Sequence, residues 1–262
     1  MIKLFQVDAF TDQIFRGNPA AVCILIEEKE KIWMQKLAAE MNLSETAFLR
    51  RNGNEFNLRW FTPTTEVKLC GHATLASAWV LFTEDMVPID EVINFHTLSG
   101  VLQARWVDNT VMLNFPAFRE AEEINNEAVL FALGIAEGKI WQIGPHYVVE
   151  VENADMVRNL RPDFNKMKEI NLGEVAVTSV SDDPAYDFLS RFFAPGCGID
   201  EDPVTGSAHC SLAPFWSEKL GKNPVRAYQA SSRGGSLLVE IENERVNLFG
   251  KAVTVFRAEL NS

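Results

Sequence analysis

Two short segments hold the side chains best placed for chemistry. Leu69-Cys70-Gly71-His72-Ala73-Thr74 and Val204-Thr205-Gly206-Ser207-Ala208-His209 each set a glycine and small residues ahead of a run fit for a helix. At a helix start the first backbone N–H groups lack intrahelical partners and the positive end of the helix dipole converges on them, so each segment is a ready anion site. Two such sites facing each other could hold a carboxylate. For a single Gly-x-Ala, small-residue packing at a helix start is the plainer explanation, and it is the repetition that argues for a function.

Just upstream of the second segment runs Cys197-Gly198-Ile199-Asp200-Glu201-Asp202-Pro203. Pro203 disfavours the α region for Asp202 and so holds its carboxylate in an extended loop beside the helix start. A metal would need more ligands at regular spacing. Neither HxxxH, nor DxDxDG, nor a Cys/His cluster occurs, so no metal is expected. Of the histidines at 72, 96, 146 and 209, His96 and His146 lie in strand-like surroundings and read as structural. Asp202, Ser207 and His209 imitate a Ser-His-Asp set, but without a G-x-S-x-G elbow a serine hydrolase is a weak reading. Cys70 beside His72 as a thiol nucleophile is weaker still, because neighbouring residues do not supply the separate base and orienting group that such a nucleophile requires.

The elements that position these residues follow from an internal repeat. Phe56 and Arg59-Trp60-Phe61-Thr62-Pro63 are echoed by Phe188 and Arg191-Phe192-Phe193-Ala194-Pro195, half the chain away. After a three-residue insertion the echo resumes with Gly71-His72-Ala73 against Gly206-Ser207-Ala208. It then holds for Gly100, Leu102, Val111 and Leu113 against Gly235, Leu237, Val246 and Leu248. Each half reads as hairpin, loop, helix, hairpin, and two such units packed together place equivalent loops across a cleft, where small-molecule sites occur. Periodicity predicts a surface helix over 28–41 and a more buried one over 71–84. Asn52-Gly53 predicts a hairpin turn between the runs 45–49 and 56–61, and further strands are expected at 237–241, 246–249 and 253–256. Pro116 marks the boundary, with halves at 1–117 and 118–251, and the strand at 252–262 is free to return to the first. Strands with few helices favour an α+β fold over a doubly wound parallel sheet.

Composition narrows the partners. The 262 residues, 47% hydrophobic and 23% charged, are ordinary for a folded protein. A net charge of −12 has the wrong sign for a general grip on nucleic acid or anionic lipid, so neither partner is expected. The longest apolar stretch, 71–82, is too short for a bilayer, and the N-terminus carries no secretory signal pattern, so the expected compartment is the cytoplasm. The four cysteines form no CxxC pair and are expected to be reduced thiols.

The motifs Val7-Asp8-Ala9-Phe10-Thr11, Gly17-Asn18-Pro19-Ala20-Ala21-Val22, Ser44-Glu45-Thr46-Ala47-Phe48, Arg59-Trp60-Phe61-Thr62-Pro63, Cys70-Gly71-His72-Ala73-Thr74 and Glu201-Asp202-Pro203-Val204-Thr205-Gly206-Ser207-Ala208-His209 together resemble the PhzF-like isomerases of phenazine biosynthesis. They stand in family order and span nearly the whole chain. The resemblance implies the diaminopimelate-epimerase-like fold: two pseudo-symmetric α+β halves, each a sheet wrapped around a central helix, with the active site in the cleft between them. It implies proton transfer without metal or organic cofactor, as in the isomerisation of a dihydro-hydroxyanthranilate, and a homodimer. Glu45 matches the family's acid/base residue, and His72 and Asp202 match further catalytic positions. Gly71, His72, Gly206 and Ser207 match the substrate-binding positions, where backbone amides would receive a carboxylate. The superfamily's epimerases use a cysteine from each half; Cys70 fits the first position but Thr205 occupies the second, which disfavours a two-thiol racemase. The expected function is a cofactor-independent isomerase moving a proton on a small carboxylate-bearing, cyclic or unsaturated metabolite. The alternatives are an amino- or hydroxy-acid racemase and a small-acid binding module. Such chemistry needs a base poised toward neutrality, and desolvation moves a carboxylate in that direction.

Overall fold

The computed structural model describes residues 1–261. The chain packs as two compact units, Met1–Phe115 together with the chain from Asn247 onward, and Pro116–Val246.

The first unit runs β1 (Ile2–Ala9), β2 (Asn18–Leu25), α1 (Lys31–Met41), β3 (Glu45–Asn52), β4 (Glu55–Phe61), β5 (Glu66–Val67), α2 (Gly71–Thr83), β6 (Ile93–Thr97), β7 (Gly100–Val107) and β8 (Thr110–Pro116). The second runs β9 (Ala121–Ile124), α3 (Glu127–Leu133), β10 (Lys139–Ile143), β11 (His146–Glu150), α4 (Ala154–Asn159), α5 (Phe164–Glu169), β12 (Val175–Val180), β13 (Phe188–Ala194), β14 (Ile199–Asp202), α6 (Gly206–Leu220), β15 (Val225–Gln229) and β16 (Gly235–Glu242). β17 (Arg245–Gly250) straddles the division, and β18 (Ala252–Leu260) pairs antiparallel with β1.

Strand pairing repeats the internal echo. In the first unit β1–β2 is antiparallel, β2–β3 parallel, β3–β4 antiparallel, β4–β6 parallel and β6–β7 antiparallel. In the second, β10–β11, β11–β12, β12–β13, β13–β15 and β15–β16 follow the same alternation of senses. The mixed sheet with few helices is the expected α+β class. A bidentate ion pair, Arg59 with Glu66 at 2.7 and 3.0 Å, recurs as Arg191 with Glu201 at 2.7 and 2.8 Å.

Each unit buries one helix. α2 is buried from Gly71 through Ala78 and again at Val80–Phe82, and it packs on β1, β2 and β3. A helix apolar all round is stable only when enclosed. Its polar members are absorbed locally: Thr74 Oγ1 donates to the Cys70 carbonyl at 2.5 Å and Ser77 Oγ to that of Ala73 at 2.7 Å. In α6, Pro214 has no N–H to give the Cys210 carbonyl; the Phe118 N–H donates there instead at 2.9 Å. The opposite sheet faces are covered differently. Ala21, Cys23, Leu25 and Phe48 meet Met34 and Ala38 of α1, whereas Val149, Val175, Val177 and Phe193 meet the three short helices α3, α4 and α5.

Two local expectations shift. The first helix begins at Lys31 rather than 28, because Glu30 is extended (φ −63°, ψ 148°) and serves as its N-cap. In the hairpin Asn52 pairs with Glu55, so the turn is Gly53-Asn54, with Gly53 at φ +62°, the conformation a type II′ turn wants first.

Candidate active site

Three chain segments of the first unit converge on His72. α1 ends at Asn42, left-handed at φ 50°, and the chain turns through Leu43 and Ser44 into β3, whose first residue is Glu45. The parallel register sets Glu45 beside Ala20 of β2, and Asn18 opens that same strand. Asn18 is delivered by a tight loop. The Phe15 N–H donates to Asp8 Oδ2 at 2.7 Å, and Gly17 stands at φ +62° where a Cβ would lie 2.1 Å from the Ala9 carbonyl oxygen. His72 is the second residue of α2, whose N-cap, Cys70, makes no side-chain capping bond.

All these side chains are buried: Glu45 is 8% exposed, Cys70 7%, His72 4% and Asn18 0%. His72 Nε2 lies 3.2 Å from Glu45 Oε2, close enough for a hydrogen bond though the N–H is not aligned with it. On the ring's other side, Nδ1 receives Asn18 Nδ2 at 3.1 Å and Cys70 Sγ at 3.5 Å. Burial pushes the His72 imidazole down to about 3, so the ring is neutral near pH 7 and faces Glu45 as an uncharged ring rather than a cation.

One donor atom from each of Glu45, Cys70 and His72 lies within 4.8 Å of the others, which by distance could hold a metal ion. No regular spacing announces this trio, because strand β3 supplies one member and the helix start the other two. An ion at Nδ1 would displace the Asn18 amide, while an ion at Nε2 would leave Cys70 on the far side of the ring. The arrangement suits a proton relay better than a metal tripod.

In the second unit Asp202 ends β14 and Thr205 caps α6. Thr205 Oγ1 donates to Asp202 Oδ2 at 2.5 Å. Gln229, at the end of β15, organises this junction. Its Oε1 accepts from the Thr205 N–H at 2.9 Å, and its Nε2 donates to the Asp202 carbonyl at 2.7 Å and to Thr205 Oγ1 at 3.1 Å. Gly206 and Ser207 open α6, and as at α2 no side chain caps the first N–H groups.

The hydrolase readings fail on geometry. His209 Nδ1 donates to the Thr205 carbonyl at 2.8 Å, and burial pushes this imidazole down to about 4. A different Ser–His–carboxylate chain does exist, with His146 Nδ1 2.9 Å from Ser211 Oγ and Nε2 3.1 Å from Glu174 Oε2. Ser211 is fully buried and donates to the Ile143 carbonyl at 3.2 Å, so no substrate reaches it. The Cys23 and Cys210 thiols are pushed up to about 12 by burial and are inert at neutral pH.

Asn18 and Gln229 are the polar residues sequence reasoning assigned no role. Asn18 stood inside a recognisable motif. Gln229 showed as a polar side chain at an inward position of a strand, after Val225 and Ala227 on the same buried face.

A mixed sheet folded around a buried helix, twice over, with a carboxylate, an imidazole and a thiol at one helix start, defines a protein of the racemase and epimerase fold class. A probable proline racemase of Agrobacterium radiobacter shares that fold at TM-score 0.61 and 12% identity, over 100% of this chain and 93% of its own. Residues 7–258 match the family described as phenazine biosynthesis-like protein, and the chain belongs to it. A PhzF-family structure from Enterococcus faecalis superposes with TM-score 0.94 at 38% identity, covering 100% of this chain and 99% of the other. An uncharacterized isomerase of Halalkalibacterium halodurans is 47% identical over 98% of this chain and 97% of its own. The chain is accordingly an isomerase of the PhzF type. No helix among the described residues is long and apolar enough to cross a membrane.

Proposed function

We propose that the protein shifts a proton on a small carboxylate-bearing, cyclic or unsaturated metabolite, with Glu45 as the acid/base and no cofactor. The observation that carries this reading is a buried carboxylate 3.2 Å from a neutral imidazole at an uncapped helix start. The Glu45 carboxylate takes a proton from a C–H bond adjacent to the conjugated system. The electron pair of that bond enters the π system, and Glu45 returns the proton to another carbon of the same system, so nothing is oxidised or reduced. His72 Nε2–H steadies the charge that develops, a preorganised role. The backbone amides of Gly71, His72, Gly206 and Ser207 receive the substrate carboxylate, and Asp202 orients the substrate through hydrogen bonds. The compartment expected from the sequence is the cytoplasm, and by family resemblance the protein works as a homodimer.

The test is incorporation of solvent deuterium into candidate unsaturated carboxylates. Glu45→Gln should lose exchange by about 10²- to 10⁴-fold, the usual share of one general acid/base; an equal rate in this variant overturns the assignment. The second reading is a racemase of amino or hydroxy acids, favoured by Cys70 within the cluster. It is opposed by Thr205, whose hydroxyl is already tied to Asp202. Chiral analysis of products separates the two, and tight carboxylate binding without any exchange would identify a binding module instead.

A further inference from the structure

We propose that Asn18 is a positioning residue that sets the tautomer of His72: by donating from Nδ2 to Nδ1 it keeps the ring proton on Nε2, the nitrogen that faces Glu45. This inference rests on the proton-transfer reading above.

An Asn side-chain N–H₂ group only donates, so the nitrogen it meets at 3.1 Å must offer a lone pair. The Cys70 thiol, a second potential donor, lies 3.5 Å from that same Nδ1. A neutral imidazole has one proton to place, and burial keeps this ring neutral. With Nδ1 accepting, the proton stands on Nε2, 3.2 Å from Glu45 Oε2. The opposite tautomer would set a nitrogen lone pair against a carboxylate oxygen and deprive Glu45 of a donor.

The placement of Asn18 is over-determined. It pairs with Ala9 across β1–β2, follows the left-handed Gly17, and sits at the end of a loop fastened by Asp8 to Phe15 and by the Lys251 carbonyl to the Thr11 N–H at 3.2 Å. An amide held that firmly imposes its hydrogen-bond polarity on the ring.

The experiment is a long-range ¹H–¹⁵N correlation spectrum of the ¹⁵N-labelled full chain, with the His72 signals identified by their loss in His72→Gln. Wild type should show the Nε2-protonated pattern. In Asn18→Asp, whose carboxylate only accepts, the proton should move to Nδ1. A wild-type His72 protonated on Nδ1, or an unchanged tautomer in Asn18→Asp, overturns the proposal; the wild-type spectrum decides even if that variant does not fold. In the deuterium-exchange assay, Asn18→Ala should lower kcat by about a hundredfold with KM little changed. An unchanged kcat removes the catalytic consequence and overturns the positioning role. A wild-type protein that exchanges no substrate while showing the expected tautomers would instead overturn the proposed function and leave the tautomer assignment standing.

Discussion

The two buried helices begin alike and are armed differently. At the α2 start the residues ahead of and behind Gly71 are a thiol and an imidazole, and a neighbouring strand adds Glu45. At the α6 start the equivalent positions hold hydroxyls, and Thr205 is engaged by Asp202 and Gln229. One copy sets an imidazole and a thiol beside its glycine, whereas the other sets two hydroxyls there. A duplicated scaffold thus supplies two similar helix starts without side-chain caps, and under the proposed function the side chains around them divide chemistry from binding. The same divergence appears in the repeated ion pair. Arg191 also donates to the Val157, Arg158 and Leu160 carbonyls at 3.3, 3.5 and 2.9 Å, whereas Arg59 meets a Glu66 that keeps a second partner, Lys31, at 2.9 Å.

The division of labour breaks first at the active groups. Glu45→Gln should remove about 10²- to 10⁴-fold of the exchange rate, whereas Ser207→Ala keeps the backbone amide proposed to receive the carboxylate and should leave kcat and KM within about tenfold of wild type. A Ser207→Ala loss in kcat as deep as that of Glu45→Gln would erase the distinction. The ion pairs come next, read by urea denaturation. Arg191→Ala should cost about 3–5 kcal/mol, since it strips a partner from Glu201 and three carbonyls of their donor. Arg59→Ala should cost about 1 kcal/mol or less, because that arginine is more exposed and Glu66 retains Lys31. Equal costs would mean that the copies remain energetically equivalent.

Each copy also buries a histidine, and pH tests them together. The ordinary value of 6.5 falls to about 3 for His72 and about 4 for His209 on folding. Between those values and 6.5 the unfolded chain binds more protons than the folded one, so stability falls as pH drops. The slope should be about 2.7 kcal/mol per pH unit from both histidines down to about pH 4, and His72 alone should continue to about pH 3. His209→Gln should halve the slope above pH 4; an unaltered slope would show that its burial is not what disfavours the charge. The second helix start offers a further test of the comparison. Gln229→Ala leaves the buried Thr205 N–H without its acceptor and should cost about 1–3 kcal/mol in urea denaturation, with little change in kcat.

Much of this molecule was legible from residue order. The β3–β4 hairpin, the buried α2 and the final strand follow from alternation, apolar runs and turn chemistry, with errors of a few residues at their ends. Helix α1 begins late because Glu30 adopts an extended cap, a choice that propensity does not dictate. The repeated Arg–Glu pair stayed hidden because Glu66 and Glu201 look like ordinary surface acids until β5 and β14 bring them to their arginines. Gln229 was hidden for a similar reason, lying 24 residues from the Thr205 it organises.

Residue types and their spacing alone determined that the chain is a duplicated α+β protein with two glycine-led helix starts, because periodicity and local backbone chemistry act over short distances. Motif order added the family and, through it, Glu45, His72, Asp202 and Ser207 as site residues. Only the tertiary structure decided that Glu45 stands at Nε2 of His72 while Asn18 and Cys70 stand at Nδ1. Strand register and a tight loop set that geometry, and hydrogen-bond polarity, which depends on ångström-scale placement, is written in neither composition nor spacing.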